Sequence, residues 1–156
     1  SFNDSEIDYV INNAVIPYAK SIQPDLLIIQ AGADMLNGDP QSRISLSNNA
    51  YWGAIKDVLL LCESSIILGG GGYNPYLTAK AWAGNWVLLN NRDDLLDSDM
   101  PEECTNLLAS LQWNNSRVRM GIPNQWLKSW RDHNVKTIVG AEVISLVKNV
   151  LSMKNL

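Results

Sequence analysis

Two short apolar runs, each followed at once by a glycine-containing motif, constrain the fold of this chain more than any other feature. Residues 26–29 (LLII) precede the motif QAGAD, which ends at Asp34, and residues 65–68 (SIIL) precede GGGGY, which ends at Tyr73. Each run has the length and the β-branched content of a buried strand. The segment 47–62 between them carries apolar residues at the spacing of one helical face. These residues are Trp52, Ile55, Leu59 and Cys62.

A strand, a helix and a second strand in this order form a unit whose strands run parallel. In open α/β sheets the ligand crevice lies beyond the carboxyl ends of the strands. Asp34 and Tyr73 both fall at such ends, with the first strand expected to end at Gly32. The sequence therefore predicts that the acid and the phenol share one rim of a parallel sheet.

Four consecutive glycines, 69–72, directly follow the second run. Each glycine costs backbone entropy, so such a run indicates that another group approaches the main chain closely. A dinucleotide-binding loop fits poorly, because the third glycine of its fingerprint is missing and Asp93 and Asp94 follow a helix where a second strand is required. Asp34 taken alone is compatible with a simple turn-forming or helix-capping role.

The chain begins with a predicted helix over residues 3–22, whose apolar residues recur at three and four positions. Asn3 and Glu6 have the spacing of a capping box. Pro17 is expected to distort the last turns, because proline lacks the N–H that an α-helix needs.

Further helices follow the second motif. Pro75 suits a first helical turn, and a stripe runs along this helix at Ala79, Trp82, Ala83, Trp86 and Leu89. The acidic stretch 93–103 is predicted to be a solvated loop. Pro123 is expected to open a short helix through Trp126 and Trp130, and apolar residues between 143 and 151 predict a last amphipathic helix.

Composition excludes several function classes. The 156 residues suit one domain, and the formal net charge of −4 with scattered basic residues leaves no electrostatic footprint for nucleic acid. No apolar run approaches a membrane span and no basic-then-apolar leader opens the chain, so we expect a cytoplasmic protein without membrane contact. Cys62 and Cys104 lack metal-ligand spacing and are predicted to be reduced, structural thiols.

The motifs resemble those of zinc-dependent histone deacetylase family proteins. The resemblance rests on QAGAD at 30–34, Gly-Asp-Pro at 38–40 and GGGGYN at 69–74, in this order and at this separation, followed by Ala79 and Trp82. It covers most of the chain and corresponds to the C-terminal half of the family domain. The tail from Trp113 onward looks more like the bacterial acetoin-utilisation type than the eukaryotic nuclear enzymes.

The resemblance implies a role for each matched residue. Asp34 matches the aspartate that ligates the catalytic zinc, and a carboxylate is a good ligand for Zn²⁺. Tyr73 matches the tyrosine whose hydroxyl stabilises the oxyanion that forms when water attacks the amide. Gly71 would line the narrow tunnel for an acyl-lysine-like chain, where its missing side chain leaves room.

The departures from the family pattern are as informative as the matches. Gln41 stands where the family usually has a leucine that helps line the pocket, so it is expected to alter acyl-substrate preference. Lys80 replaces a common arginine and is expected to be a surface change. In the family, the other zinc ligands, an Asp and a His, and a pair of adjacent histidines all lie upstream of the aspartate that matches Asp34. This chain contains no match to them. The only histidine here, His133, matches no motif and is predicted to be a surface loop residue.

We therefore interpret residues 1–156 as the C-terminal portion of a three-layer αβα domain with a mainly parallel sheet, the deacetylase (arginase-like) fold. Residues 1–92 would form the sheet-and-helix core with the site loops, and residues 93–156 an acidic loop and helical tail. The parent protein would use zinc to remove acetyl groups from acetyl-lysine or related acetylated amines, and the missing N-terminal half of the domain would be this chain's partner. Two alternatives stay open, a catalytically inert binding or assembly module and an acetylpolyamine amidohydrolase. We expect the isolated chain to be inactive and, with an unpaired strand edge, to associate.

Overall fold

The structure is a computed structural model that describes residues 1–132 and 137–152. Its helices are α1 (Asp4–Val10), α2 (Ile16–Ile22), α3 (Asn48–Leu59), α4 (Pro75–Leu89), α5 (Glu102–Ser110), α6 (Asn124–Leu127) and α7 (Ala141–Ser152). Its strands are β1 (Leu27–Gln30) and β2 (Ser65–Leu68). A π-helical segment covers Ile11–Val15, and 3₁₀ segments cover Ala33–Met35, Asp93–Asp97 and Ser116–Val118. None of the described helices is long and apolar enough to cross a membrane.

The two strands pair in parallel, as the strand–helix–strand order predicts. Leu27 lies opposite Ser65 and Gln30 lies opposite Leu68, so the pairing has no offset along its four residue pairs. β1 ends at Gln30, two residues before the predicted end at Gly32. The ladder extends only to Ala31, whose N–H donates to the carbonyl of Leu68 at 2.9 Å.

Only one face of this small sheet is covered by the described residues. Ile29 and Ile67 pack against the hydrophobic core. On the opposite face Ile28 is 63% exposed, Ile66 46% and Leu68 48%. The prediction of buried strands is therefore wrong for this second face, because the described helices supply one covering layer of the three-layer arrangement and not both.

The first helix has the predicted start. The Asn3 side chain accepts hydrogen bonds from the N–H groups of Ser5 and Glu6, and the Glu6 carboxylate accepts from the Asn3 N–H, which completes a capping box. The predicted distortion precedes Pro17. Because Pro17 cannot donate to a carbonyl one turn back, the helix widens into the π-helical segment, in which the N–H of Ile16 donates to Ile11.

The N-terminal helix also fixes the start of the helix that joins the strands. The Asp4 carboxylate accepts from the N–H and from the hydroxyl of Ser47, both at 2.7 Å. The Ser47 hydroxyl in turn accepts from the N–H of Ala50 at 3.1 Å and so caps α3. This helix begins one residue later and ends three residues earlier than the predicted segment 47–62.

The buried face of α4 is not the predicted apolar stripe. Trp86 is 63% exposed and Leu89 is 52% exposed, whereas the face that carries Ala81 and Gly84 is buried. Gly84 explains the difference, because a Cβ there would overlap the indole of Trp52 on α3. The indole N–H of Trp52 donates to the carbonyl of Ala81 at 3.1 Å. Close contact between α3 and α4 therefore takes precedence over burial of the larger side chains.

Lys80 is not a surface residue, contrary to its prediction. It is 1% exposed, because α4 is covered there by the segment that contains α6. Its ammonium donates to the carbonyl of Gln125 at 3.0 Å and to Asp132 at 3.1 Å. Asp132 is held by Asn48, whose side-chain oxygen accepts the Asp132 N–H at 2.8 Å. Burial lowers the pKa of Lys80, against the opposing effects of the Asp132 charge and hydrogen bond.

The tail is helical in more places than predicted. The acidic stretch is a 3₁₀ segment followed by α5, and its acidic side chains are mostly solvated, with Asp97 bonded to Arg131 at 2.6 Å. The helix after Pro123 is short as predicted but stops at Leu127, before Trp130. Trp126 stacks on Tyr76 with ring centroids 5.8 Å apart. The predicted last helix is present as α7, and His133 lies outside the described residues.

Candidate functional site

The loops that follow the two strands are hydrogen-bonded to each other. After β1 the chain turns through the 3₁₀ segment that contains Asp34, and the N–H of Ala33 donates to the carbonyl of Gly71 at 2.7 Å. Tyr73 lies two residues beyond Gly71 in the second loop. The prediction that the two motifs share one rim of the sheet is thereby confirmed.

The Asp34 carboxylate lies against the backbone of the glycine loop. A Cβ on Gly71 would overlap this carboxylate, and a Cβ on Gly32 would lie 2.5 Å from its Oδ1. Gly70 is equally restricted, because a Cβ there would come within 2.9 Å of the Gly32 Cα. The close approach that the glycine run predicts is therefore made, in this chain, by the Asp34 side chain and the Gly32 backbone.

Tyr73 is held by its backbone, while its side chain is 46% exposed. The preceding residue, Gly72, has φ of +148°, a conformation that favours glycine. The following residue, Asn74, caps α4 by accepting from Tyr76 and Leu77, and its amide donates to the carbonyl of Gly38 at 3.1 Å. The start of α4 and the Gly-Asp-Pro turn thus fix the main chain on both sides of the phenol.

Asp39 is a site residue that the sequence reasoning did not single out. It is 3% exposed, and its carboxylate accepts the N–H of Tyr73 at 2.7 Å and the N–H of Gln41 at 2.8 Å. Arg117, from the tail, donates to its carbonyl at 3.0 Å. The available signal was its place in the Gly-Asp-Pro motif at 38–40, which carries the family resemblance but by itself assigns no role to the aspartate.

Gln41 and Gly71 occupy different parts of this rim. Gln41 is exposed in the turn that begins at Asp39, and Gly71 is half-buried beside the Asp34 carboxylate. Their predicted roles in a substrate pocket stay predictions, as do the roles of Asp34 and Tyr73. The structure supplies the common location on which those roles depend.

Behind the rim, Tyr51 of α3 reaches the end of β1. Its hydroxyl donates to the carbonyl of Ala31 at 3.0 Å and accepts from the amide of Asn85 at 3.1 Å. Burial raises the pKa of Tyr51, the hydrogen bond from Asn85 opposes this shift, and the negative charge of Asp34 adds to it. The Asp34 carboxylate is therefore within electrostatic reach of a buried phenol.

The described residues fit one ligand of a zinc site and not a whole one. Within residues 1–132 and 137–152, no three His, Cys, Asp or Glu side chains lie together in a way that could hold a metal ion. Catalytic zinc sites typically take three protein ligands. Asp34 can provide one carboxylate, so a complete site needs ligands beyond the described part of the chain.

A separate groove of about 670 Å³ lies between the N-terminal helical region and α3. Its lining includes Asp8, Asn12 and Asp57, and it contains none of the predicted site residues. The rim at the strand ends and this groove are therefore distinct features of the surface.

Comparison with known proteins identifies the family. The sequence profile of the histone deacetylase domain matches residues 1–89. Histone deacetylase 8 of Xenopus laevis is 32% identical over 82 residues, which are 53% of this chain and 25% of that protein. Histone deacetylase RPD3 of Saccharomyces cerevisiae is 33% identical over 79 residues, which are 51% of this chain and 18% of that protein. The chain thus spans about a quarter or less of the length of these two relatives.

Solved structures extend the likeness over nearly the whole chain. The crystal structure of a histone deacetylase homologue from Aquifex aeolicus superposes with a TM-score of 0.81 at 25% identity and covers 96% of this chain and 40% of that one. A structure of a histone deacetylase homologue complexed with SAHA gives a TM-score of 0.80 at 25% identity. The predicted αβα deacetylase fold is confirmed, with this chain as a part of it. The chain belongs to the histone deacetylase family.

Proposed function

We propose that the protein to which this chain belongs is a zinc-dependent hydrolase that removes acetyl groups from acetyl-lysine of proteins or from related acetylated amines. One observation supports this most strongly. The loops of Asp34 and Tyr73 are joined by the hydrogen bond from Ala33 to Gly71, inside the part of the chain that matches the family profile. This chain supplies an incomplete part of the catalytic domain.

Asp34 would provide one zinc ligand, and the remaining ligands would come from the other half of the domain. Its carboxylate lies at the carboxyl end of a parallel strand, where such ligands are presented in α/β folds. When bound, zinc would act as a Lewis acid toward the substrate carbonyl and its attacking water. The backbone of the glycine loop packs against the carboxylate and restricts its position.

Tyr73 would donate a hydrogen bond to the oxygen on which negative charge develops. Among the described residues, the bond from Tyr73 to Asp39 is made by the backbone N–H and not by the phenol, which leaves the hydroxyl available to a substrate. A donor aimed at developing charge contributes several kcal/mol of transition-state stabilisation, on the order of 3 kcal/mol for one donor. Gly71 leaves room for the Asp34 carboxylate, and the loop that contains it would line the tunnel for the acyl-lysine chain.

Gln41 would act at the entrance of the substrate tunnel. It is exposed and its backbone is fixed by Asp39 at 2.8 Å, so its amide can contact a substrate group outside the tunnel. A polar entrance residue favours a polar or charged substrate neighbourhood over an apolar one, which keeps acetylated polyamines among the candidate substrates. A panel that compares acetyl-lysine peptides with acetylpolyamines separates these substrates.

An inert binding or assembly module is the second candidate. It is favoured by one observation, namely that no three potential metal ligands lie together among the described residues. A parent reading frame that supplies the missing Asp, His and paired histidines would argue against it. We propose a cytoplasmic location in either case.

The test mixes the purified chain with a family-like N-terminal half and measures zinc content and deacetylation of an acetyl-lysine peptide. We expect activity and bound zinc only in the mixture, and loss of about 10²–10³-fold in activity with Tyr73→Phe. Tyr18→Phe on α2, outside the rim, is the matched control and should leave activity unchanged. Activity of the chain alone would overturn the division into halves. If the two halves associate but do not deacetylate the peptide, the inert module is favoured.

A further inference from the structure

Tyr51 and Asn85 form a buried hydrogen-bonded pair behind the first site loop. Tyr51 is 3% exposed on α3, and Asn85 is fully buried on α4. The Asn85 amide nitrogen donates to the Tyr51 hydroxyl at 3.1 Å, and an amide nitrogen has no acceptor capacity. The hydroxyl proton is therefore directed to the carbonyl of Ala31, 3.0 Å away.

This bond fixes the peptide that leads into the loop of Asp34. On one side, Ala31 donates its N–H to Leu68 of β2 at 2.9 Å. On the other side, its carbonyl is held by Tyr51. Two residues later Ala33 donates to Gly71, so the chain between the strand and Asp34 is held from three directions. Small rotations of the Ala31 peptide would otherwise move the Asp34 carboxylate relative to the glycine loop.

The Asn85 side chain is costly for packing alone. Its Oδ1 has no hydrogen-bond partner among the described residues although it is buried. An unsatisfied buried acceptor destabilises a protein, and an apolar side chain of similar volume would avoid that cost. The amide's contribution at this position is thus the orientation of the Tyr51 hydroxyl.

We propose that Tyr51 and Asn85 are positioning residues for Asp34. Together they fix the Ala31 carbonyl and thereby set the placement of the Asp34 carboxylate against Gly71. This role rests on the proposed function of Asp34, and neither Tyr51 nor Asn85 is proposed to touch the substrate or the metal. Removing the Tyr51 hydroxyl should loosen the loop and lower catalytic turnover without weakening substrate binding.

The experiment uses the complete domain with Tyr51→Phe, Asn85→Leu and the double variant. Hydrogen exchange is followed by mass spectrometry in the segment 30–36 and, as an internal reference, in α5. Steady-state kinetics on an acetyl-lysine peptide give kcat and KM. Tyr76→Phe is the matched control, because its buried hydroxyl also donates to a backbone carbonyl, that of Leu111, at 3.1 Å.

For Tyr51→Phe we expect exchange in segment 30–36 at least about tenfold faster, with α5 unchanged, and kcat about tenfold lower with KM within about twofold. Asn85→Leu should show a smaller effect of the same kind, and the double variant should match Tyr51→Phe. Tyr76→Phe should leave exchange in segment 30–36 unchanged.

Two results would overturn the positioning role. One is hydrogen exchange that becomes faster to the same degree in segment 30–36 and in α5, and the other is faster exchange in segment 30–36 with an unaltered kcat. If the unaltered complete domain deacetylates nothing, the proposed function fails and the catalytic role of the pair fails with it. Hydrogen exchange distinguishes this failure from failure of the positioning role. Faster exchange in segment 30–36 of Tyr51→Phe would still show that the Tyr51 hydroxyl holds the loop in place, even in a domain without activity.

Discussion

The buried carboxylate of Asp39 accepts the backbone N–H of Tyr73 at 2.7 Å. The two residues are 34 positions apart, and the bond ties the Gly-Asp-Pro turn to the loop that presents the phenol. The same carboxylate accepts the N–H of Gln41 at 2.8 Å with its other oxygen. Asp39 thus controls both a predicted catalytic residue and a predicted pocket residue through the backbone.

Replacing Asp39 by asparagine should lower the activity of the complete domain. Asparagine has one acceptor oxygen where aspartate has two, so one of the two N–H groups loses its partner. We expect kcat to fall about tenfold to a hundredfold with little change in KM, because a displaced catalytic group costs rate more than binding. Asp25→Asn, at an exposed turn, is the control, and an unchanged kcat in Asp39→Asn would contradict the positioning of Tyr73 by Asp39.

Substitution by alanine should change the free energy of unfolding in opposite directions at Gly84 and at Gly53. A Cβ at Gly84 would overlap Trp52, so Gly84→Ala should reduce the free energy of unfolding by about 1–3 kcal/mol. Gly53 on α3 has open space at its Cβ position, so Gly53→Ala should raise it by about 0.5–1 kcal/mol. Urea denaturation of both variants checks this, and equal effects of the two substitutions would refute the close contact of α3 with α4.

Lys80→Met should destabilise the chain by about 2–4 kcal/mol, because it leaves Asp132 without its buried cation. Lys56→Met breaks a pair with Asp93 in which the lysine side chain is 56% exposed, and should cost no more than about 1 kcal/mol. Denaturant unfolding at neutral pH measures both effects. Similar losses in the two variants would argue against a structural role for the buried pair.

Lys80 should also give stability a defined pH dependence. Burial lowers its pKa below 10.5, so the unfolded chain binds this proton more tightly than the folded chain. Stability of the wild-type chain relative to Lys80→Met should therefore rise as pH increases from the lowered folded pKa toward the unfolded value. Unfolding curves at several alkaline pH values test the sign of this change. If the free energy of unfolding of the wild-type chain relative to Lys80→Met falls as pH rises, the folded pKa of Lys80 is not lowered.

The uncovered face of the sheet predicts association of the isolated chain. Ile28, Ile66 and Leu68 lie exposed together on this face, and exposed apolar patches of this kind are normally covered by a partner. Sedimentation at micromolar concentration should detect oligomers that Ile28→Lys reduces. Leu107→Lys, at an exposed position on α5, should not reduce them. A monodisperse wild-type monomer would be inconsistent with this expectation.

The amino-acid sequence determined the elements that depend on local chemistry. Strand-length apolar runs predicted β1 and β2, and the Asn3–Glu6 spacing predicted a capping box that is present in full. The order of strand, helix and strand was enough to predict that the loops of Asp34 and Tyr73 lie on one rim. These features follow from side-chain periodicity and neighbouring hydrogen bonds, both of which can be read along the chain.

The tertiary structure decided which polar residues are buried and what they hold. Lys80 and Asn85 lie on the buried face of α4 because Asp132 and Tyr51 reach them from distant segments, and the contact of Gly84 with Trp52 selects that face. Asp39 gains its role only when Tyr73 folds against it. Hydrophobic periodicity cannot reveal such partners, because burial of a polar group is stabilised by hydrogen bonds to residues tens of positions away.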